Sequence, residues 1–213
     1  MSLRGLPALA WEALLLELAL YRCLARWIAR RPDVPADAIP TGYAQLVGPM
    51  LWLWIFGSAT EVVVVEVVLR ELEAGWAEAV RLPLLVVGIW GVLWMLGLMA
   101  AYRVRPHLLT QDRLRIRNSA RTWVDVPLDA VASTHTTEHE LPGVIRAVHH
   151  KDGLLLVGVS SRTNLDLVLT GPTVLRTSKG EMTADRVGLW VDEPRVAAGQ
   201  LRTTVAARPR TPR

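Results

Sequence analysis

LPLLVVGIWGVLWMLGLMAAY, Leu82 to Tyr102, decides how this chain is read. It holds no charged residue, and a helix of this length, rising about 1.5 Å per residue, crosses the roughly 30 Å hydrocarbon layer of a bilayer. Arg81 stands before it, and Arg103 and Arg105 stand after it. Upstream the patterns are helical and downstream they are strand-like. The stretch is therefore expected to be both a membrane anchor and the border between two architectures.

Immediately upstream, PMLWLWIFGSATEVVVVEVVL (residues 49–69) is also long enough to span, but it carries Glu61 and Glu66. A central acid costs about 2.5–3.5 kcal/mol on an insertion scale, which the surrounding Leu, Ile, Phe, Val and Trp residues offset. Residues 49–102 are thus expected to form a two-helix transmembrane hairpin, with spans 49–69 and 82–102. Pro49 and Pro83 would each open a helix, where a missing N–H is tolerated.

Further upstream, residues 1–31 read as an amphipathic basic helix. Glu12 and Glu17 fall early, and Arg22, Arg26, Arg30 and Arg31 fall late, as the helix dipole favours. Two readings stand, a helix lying on the bilayer with its basic end at anionic headgroups, or one packed on its own protein. The two acids also break the apolar start, and no small-residue cleavage site follows, so no cleaved signal peptide is expected. Residues 32–48 form a connector that Pro32, Pro35 and Pro40 hold extended.

Downstream of Tyr102 the period becomes two. In RLRIRN, Leu114 and Ile116 share one face while Arg113, Arg115 and Arg117 share the other. TWVDVPL, VIRAVHH, GLLLVGVS, NLDLVLT, PTVLRTS and DRVGLWV follow. Asn118-Ser119, Pro142-Gly143, Asp152-Gly153, Gly171-Pro172 and Lys179-Gly180 read as the turns between them. About seven short antiparallel strands suit one small sandwich or barrel. Asp192 as cap and Pro194 just inside start a C-terminal helix. The basic tail, 203–213, is expected to be disordered.

The run HLLTQDRLRIRNSARTWVDVPLDAVAS, with Thr110, Asp112, Leu114, Arg117, Val126, Pro127, Leu128, Asp129 and Val131, resembles the opening of bacterial PH-like domains. VGLWVDEPRVAAGQL is similar to that family's last strand and helix start. The resemblance covers residues 103–202. It implies an all-β PH-like domain closed by one C-terminal helix, and the full layout resembles an uncharacterised actinobacterial two-span group. What it implies for function is a protein-binding or oligomerising module, without a transferred phosphoinositide site.

The composition fits a hybrid of membrane and globular parts: 51% hydrophobic over 213 residues, net charge +4 and a mean hydropathy of +0.27. Of 24 basic residues only Lys151 and Lys179 are lysine, and the lone Cys23 precludes an intramolecular disulfide. Arg22, Arg26, Arg30 and Arg31 precede the first span and Arg103, Arg105, Arg113, Arg115 and Arg117 follow the second, whereas the loop has only Arg70 and Arg81. Both termini are therefore expected on the cytoplasmic side of the inner membrane.

Two candidate sites follow. Glu61 lies near the midplane of its span, behind the small residues Gly57, Ser58 and Ala59, and is either a functional acid or a protonated packing residue. Arg113, Arg115, Arg117 and Arg121 could meet anionic headgroups, or could simply be the exposed face of an edge. Gly97 and Ala101 form a small-xxx-small pair for helix contact within the hairpin or between copies. The histidines 135, 139, 149 and 150 lack the converging ligands of a metal site. No nucleophile motif, phosphate loop, dinucleotide motif or cofactor pattern occurs, and no basic-aromatic pattern points to nucleic acid. The expected function is non-enzymatic: a cytosolic domain presented for protein, lipid-surface or self-association. The alternative is a subunit of a membrane transport or enzyme complex that uses Glu61.

Overall fold

Four helices and eleven strands make up the described residues (6–72, 74–142 and 147–207) in the computed structural model of the chain. Helix α1 (Leu6–Ile28) ends where Arg30 enters the left-handed region at φ 54°. Helix α2 (Gly48–Glu71) and helix α3 (Gly75–Val104) form an antiparallel pair, and both are long and apolar enough to cross a membrane. The second helix of the pair begins well before Leu82. Pro83 therefore sits inside α3 rather than opening it, beyond the first turn, where it leaves the Ala79 carbonyl without its i→i−4 donor. The expected loop 70–81 contracts accordingly.

Helix α1 packs on α3. Leu20 and Cys23 are buried with Ala100, Ala101 and Val104, and Leu16, Ala19, Leu24 and Trp27 meet Trp94 and Leu98 beside them. A Cβ on Gly97 would approach Leu20 Cβ to 3.0 Å and its carbonyl to 3.2 Å, so the Gly97–Ala101 face serves α1. Gly88 instead lets α2 close in, because a Cβ there would meet Val62. The opposite side of α1 leaves Trp11, Leu14 and Leu18 exposed. The helix packs on its own protein along one face, as one of the two expectations has it, and leaves an apolar face exposed.

The β domain is a nine-stranded sheet plus a two-stranded one. In chain order its strands are β1 (Ile39–Thr41), β2 (His107–Leu109), β3 (Arg113–Asn118), β4 (Thr122–Pro127), β5 (Val131–His135), β6 (His139–Glu140), β7 (Val148–Lys151), β8 (Leu154–Val157), β9 (Arg162–Thr163), β10 (Leu165–Thr177) and β11 (Gly180–Leu189). The order across the large sheet is β1-β2-β3-β4-β10-β11-β8-β7, with β5 also on β10, while β6 pairs with β9. Leu114 and Ile116 enter the core with Leu155, Leu165, Leu167, Leu175 and Leu189. Helix α4 (Pro194–Ala206) closes it through Ala197, Ala198 and Leu201.

Several details depart from the sequence reading. Gly171-Pro172 is no turn: β10 runs through it, with a register shift between Val168 and Thr173. One long bent strand thereby pairs with β5 near its start and β4 near its end. The strands are not all antiparallel either, because β11 folds back from β10 to lie parallel to β8. Val144–Arg146 of the expected VIRAVHH strand and Gly143 of the expected turn lie outside the described residues, as do 1–5 and 208–213. Thr203–Ala206, expected in the tail, is helical.

The largest departure is in the connector. Ile39, Pro40 and Thr41 pair with Leu109, Leu108 and His107 as the outermost strand of the sheet. Pro40 has no N–H to offer, which an edge strand tolerates.

Candidate functional site at the helix–domain junction

Three groups of side chains fasten the connector where both apolar helices meet the β domain. The first is ionic. Arg26 Nη1 donates to Asp33 Oδ1 at 2.7 Å, and Asp33 Oδ2 lies 3.6 Å from Arg105 Nε and 3.5 Å from Arg117 Nη1. Arg117 Nη1 also donates to the Asp33 carbonyl at 2.7 Å. The Asp33 N–H in turn donates to the Val104 carbonyl at 2.7 Å, satisfying one of the carbonyls left open at the α3 C-terminus. One connector residue thus joins α1, α3 and β3.

The second group is aromatic. His107 is almost fully buried and stacks on Tyr43 with ring centroids 4.5 Å apart, while Tyr102 meets Tyr43 edge-on at 5.6 Å. The Arg117 backbone N–H donates to His107 Nδ1 at 2.9 Å. That bond fixes the proton on Nε2, which donates to the Trp190 carbonyl at 2.8 Å. Burial pushes the His107 imidazole down to about 4, only partly countered by the Trp190 carbonyl. The ring is neutral and both its nitrogens are used.

The third group is a carboxylate clamp. Asp192, read from sequence as the cap of the C-terminal helix, caps another element. Its Oδ2 accepts from Ala44 N–H at 3.1 Å and its Oδ1 from Gln45 N–H at 2.9 Å, in the turn that leads into α2. Glu193 occupies the cap position of α4 and makes no side-chain capping bond. A Cβ on Gly42 would meet Asp192 Oδ2 at 2.8 Å, so the glycine permits this approach.

Arg113, Arg115, Arg117 and Arg121 do not form one outward cationic strip. Arg115 makes a bidentate pair with Asp125 directly across the strands, at 2.6 and 2.7 Å, and covers the Trp123 ring at 5.0 Å. Arg113 lies 3.6 Å from the same carboxylate and 3.5 Å from Asp112. Arg117, expected on the outer face, is only 6% exposed, because the connector covers it. Arg121 Nη1 donates to the Glu12 carbonyl at 3.2 Å. Among the described residues, Arg22, Arg30 and Arg31 toward the end of α1 and Arg103 at the end of α3 are exposed without a side-chain partner.

Glu61 is exposed on the flank of α2, without a partner. It lines a cavity of about 280 Å³ between α2 and α3, together with Ser58, Glu66, Arg81, Gly88 and Gly91. Glu66 does more than pair with Arg70 at 3.7 Å: it also lies 3.8 Å from Arg81 and so bridges the two helices. Among the histidines, His139 bonds the buried Asp166 at 2.8 Å, and no cluster of potential metal ligands occurs among the described residues.

Sequence reasoning named neither Asp33 nor Tyr43 as part of any site. The signal available was weak: one of two acids, Asp33 and not Asp37, and one aromatic inside a connector rich in proline. Neither a protein-family model, nor a curated protein, nor a solved structure matches the chain.

Proposed function

We propose that this chain is an integral inner-membrane protein that spans the bilayer with α2 and α3 and holds a PH-like β domain at the cytoplasmic face. In this reading the domain is a non-enzymatic docking module for a protein partner, a lipid surface or a second copy. The observation that carries it is the triple fastening at Asp33, His107–Tyr43 and Asp192. A loose tether would suffice to keep a domain near a membrane, whereas fixing its attitude serves to present one face of it. The PH-like assignment is supported by a strand-rich core closed by one C-terminal helix, and the parallel β8–β11 pair is a departure from it. The inward termini are supported by the arginine distribution.

Crosslinking from native membranes tests the reading. A partner captured through domain residues should be lost in Asp33→Ala while the chain stays in the membrane. Capture that is indifferent to Asp33→Ala would contradict it. A reporter fused after Arg213 that is active only outside would reverse the orientation.

A second reading is favoured by Glu61, an unpartnered acid beside an interhelical cavity. It makes the hairpin part of a transport or membrane-enzyme complex. If Glu61→Gln leaves assembly intact yet abolishes a cellular phenotype, this reading replaces the first.

A further inference from the structure

At the domain-side end of the two apolar helices, Gln45, Pro49, Trp52, Tyr102, Arg103 and Pro106 line a groove of about 630 Å³. We propose that this groove seats the phosphate headgroup of an anionic glycerophospholipid from the cytoplasmic leaflet, a reading that rests on the membrane placement proposed above.

The argument begins with charge. Arg105, Arg113, Arg115, Arg117 and Arg121 are all engaged by protein acceptors, whereas Arg103 has no side-chain partner and lines the groove. No acid is among the lining residues, and Asp192, whose carboxylate holds the lining residues Ala44 and Gln45, has each oxygen already accepting a backbone N–H. Gly48, Pro49 and Trp52 bring the first turn of α2 into the same groove. The Gly48 N–H there already donates to the Ala44 carbonyl and Pro49 has none to give, so the cation offered to a phosphate is Arg103.

Shape and polarity then select a lipid over a free anion. The groove wall is largely apolar, built of glycine, alanine, proline and aromatic residues, and Trp52 continues into an exposed apolar face of α2: Trp52 is 43% exposed, Leu53 71% and Phe56 72%. Acyl chains can follow that face while the phosphate stays with Arg103. Trp27 lies beside Trp52, with ring centroids 6.4 Å apart, and paired indoles mark the depth at which headgroups sit.

The test titrates the full chain in neutral detergent with dioleoylphosphatidylglycerol or dioleoylphosphatidylcholine and counts bound lipids by native mass spectrometry. One tightly held phosphatidylglycerol is expected, weakened about five- to tenfold in Arg103→Gln. Gln45→Arg, which adds a second cation to the same wall, should tighten it. Equal binding of the two lipids, or phosphatidylglycerol affinity unchanged in both variants, would overturn the proposal. So would full displacement by millimolar inorganic phosphate, which would make this a free-anion site. Membrane fractionation separates the two levels: a chain recovered in the soluble fraction sinks the membrane placement itself, while a membrane-bound chain without lipid preference sinks only the groove.

Discussion

Arg117 of the β domain and Asp33 of the connector, far apart in sequence, are held together by a 2.7 Å hydrogen bond to the Asp33 carbonyl and a 3.5 Å approach to its carboxylate. The guanidinium is nearly buried, and the carboxylate is about one-third exposed. Since Asp33 also receives Arg26 and Arg105, this residue links α1 and α3 to the sheet.

Asp33→Ala removes the carboxylate and leaves the buried Arg117 with only a carbonyl. A fully buried broken pair would cost more, but the exposure of Asp33 reduces the loss to about 2 kcal/mol. Thermal unfolding of the full chain in detergent should show it. Arg31→Ala, which touches no acid, should leave the melting temperature unchanged.

Acidification should loosen the same junction through His107. The native ring is neutral and its pKa is pushed down to about 4, against an ordinary 6.5. Its contribution is therefore full above pH 6.5. It fades as pH falls toward 4, since the unfolded chain takes up a proton that the native one refuses. The loss over that window is about 3 kcal/mol. Unfolding measured at pH 7 and pH 5 should differ, and His107→Gln should flatten that difference while lowering stability at pH 7.

The α1–α3 contact has its own reporter in Cys23, which is 5% exposed and the chain's one thiol. Gly97→Leu would force α1 off α3 at a cost of about 1–3 kcal/mol, so maleimide labelling of Cys23 should accelerate about tenfold. Gly91→Leu, on the same helix but facing open space, should leave the labelling rate unchanged.

Local signals in the sequence carried the parts of this fold that depend on local physics. The uncharged run at Leu82–Tyr102 located a long apolar helix, and the alternation at Leu114 and Ile116 identified core positions. What escaped was decided at long range. Alternation cannot tell that Arg117 is covered, because the cover is a segment 84 residues away. Pro35 and Pro40 argued for an extended connector, and extended it is, but an edge strand and a free linker look alike until the partner β2 is in place. Asp192 has the residue type of a helix cap, yet the N–H groups it accepts belong to the turn before α2. Gly171-Pro172 has turn chemistry and instead bends one strand between two partners.

The claim that the domain is fixed rather than tethered meets its most direct test in a spin-label distance. Labels at Trp76→Cys, at the far end of the hairpin, and Lys179→Cys, in the β10–β11 turn, would be introduced into a Cys23→Ser chain reconstituted in lipid nanodiscs. The account predicts one narrow distance distribution that broadens in Asp33→Ala. A broad distribution already present with Asp33 intact would contradict it.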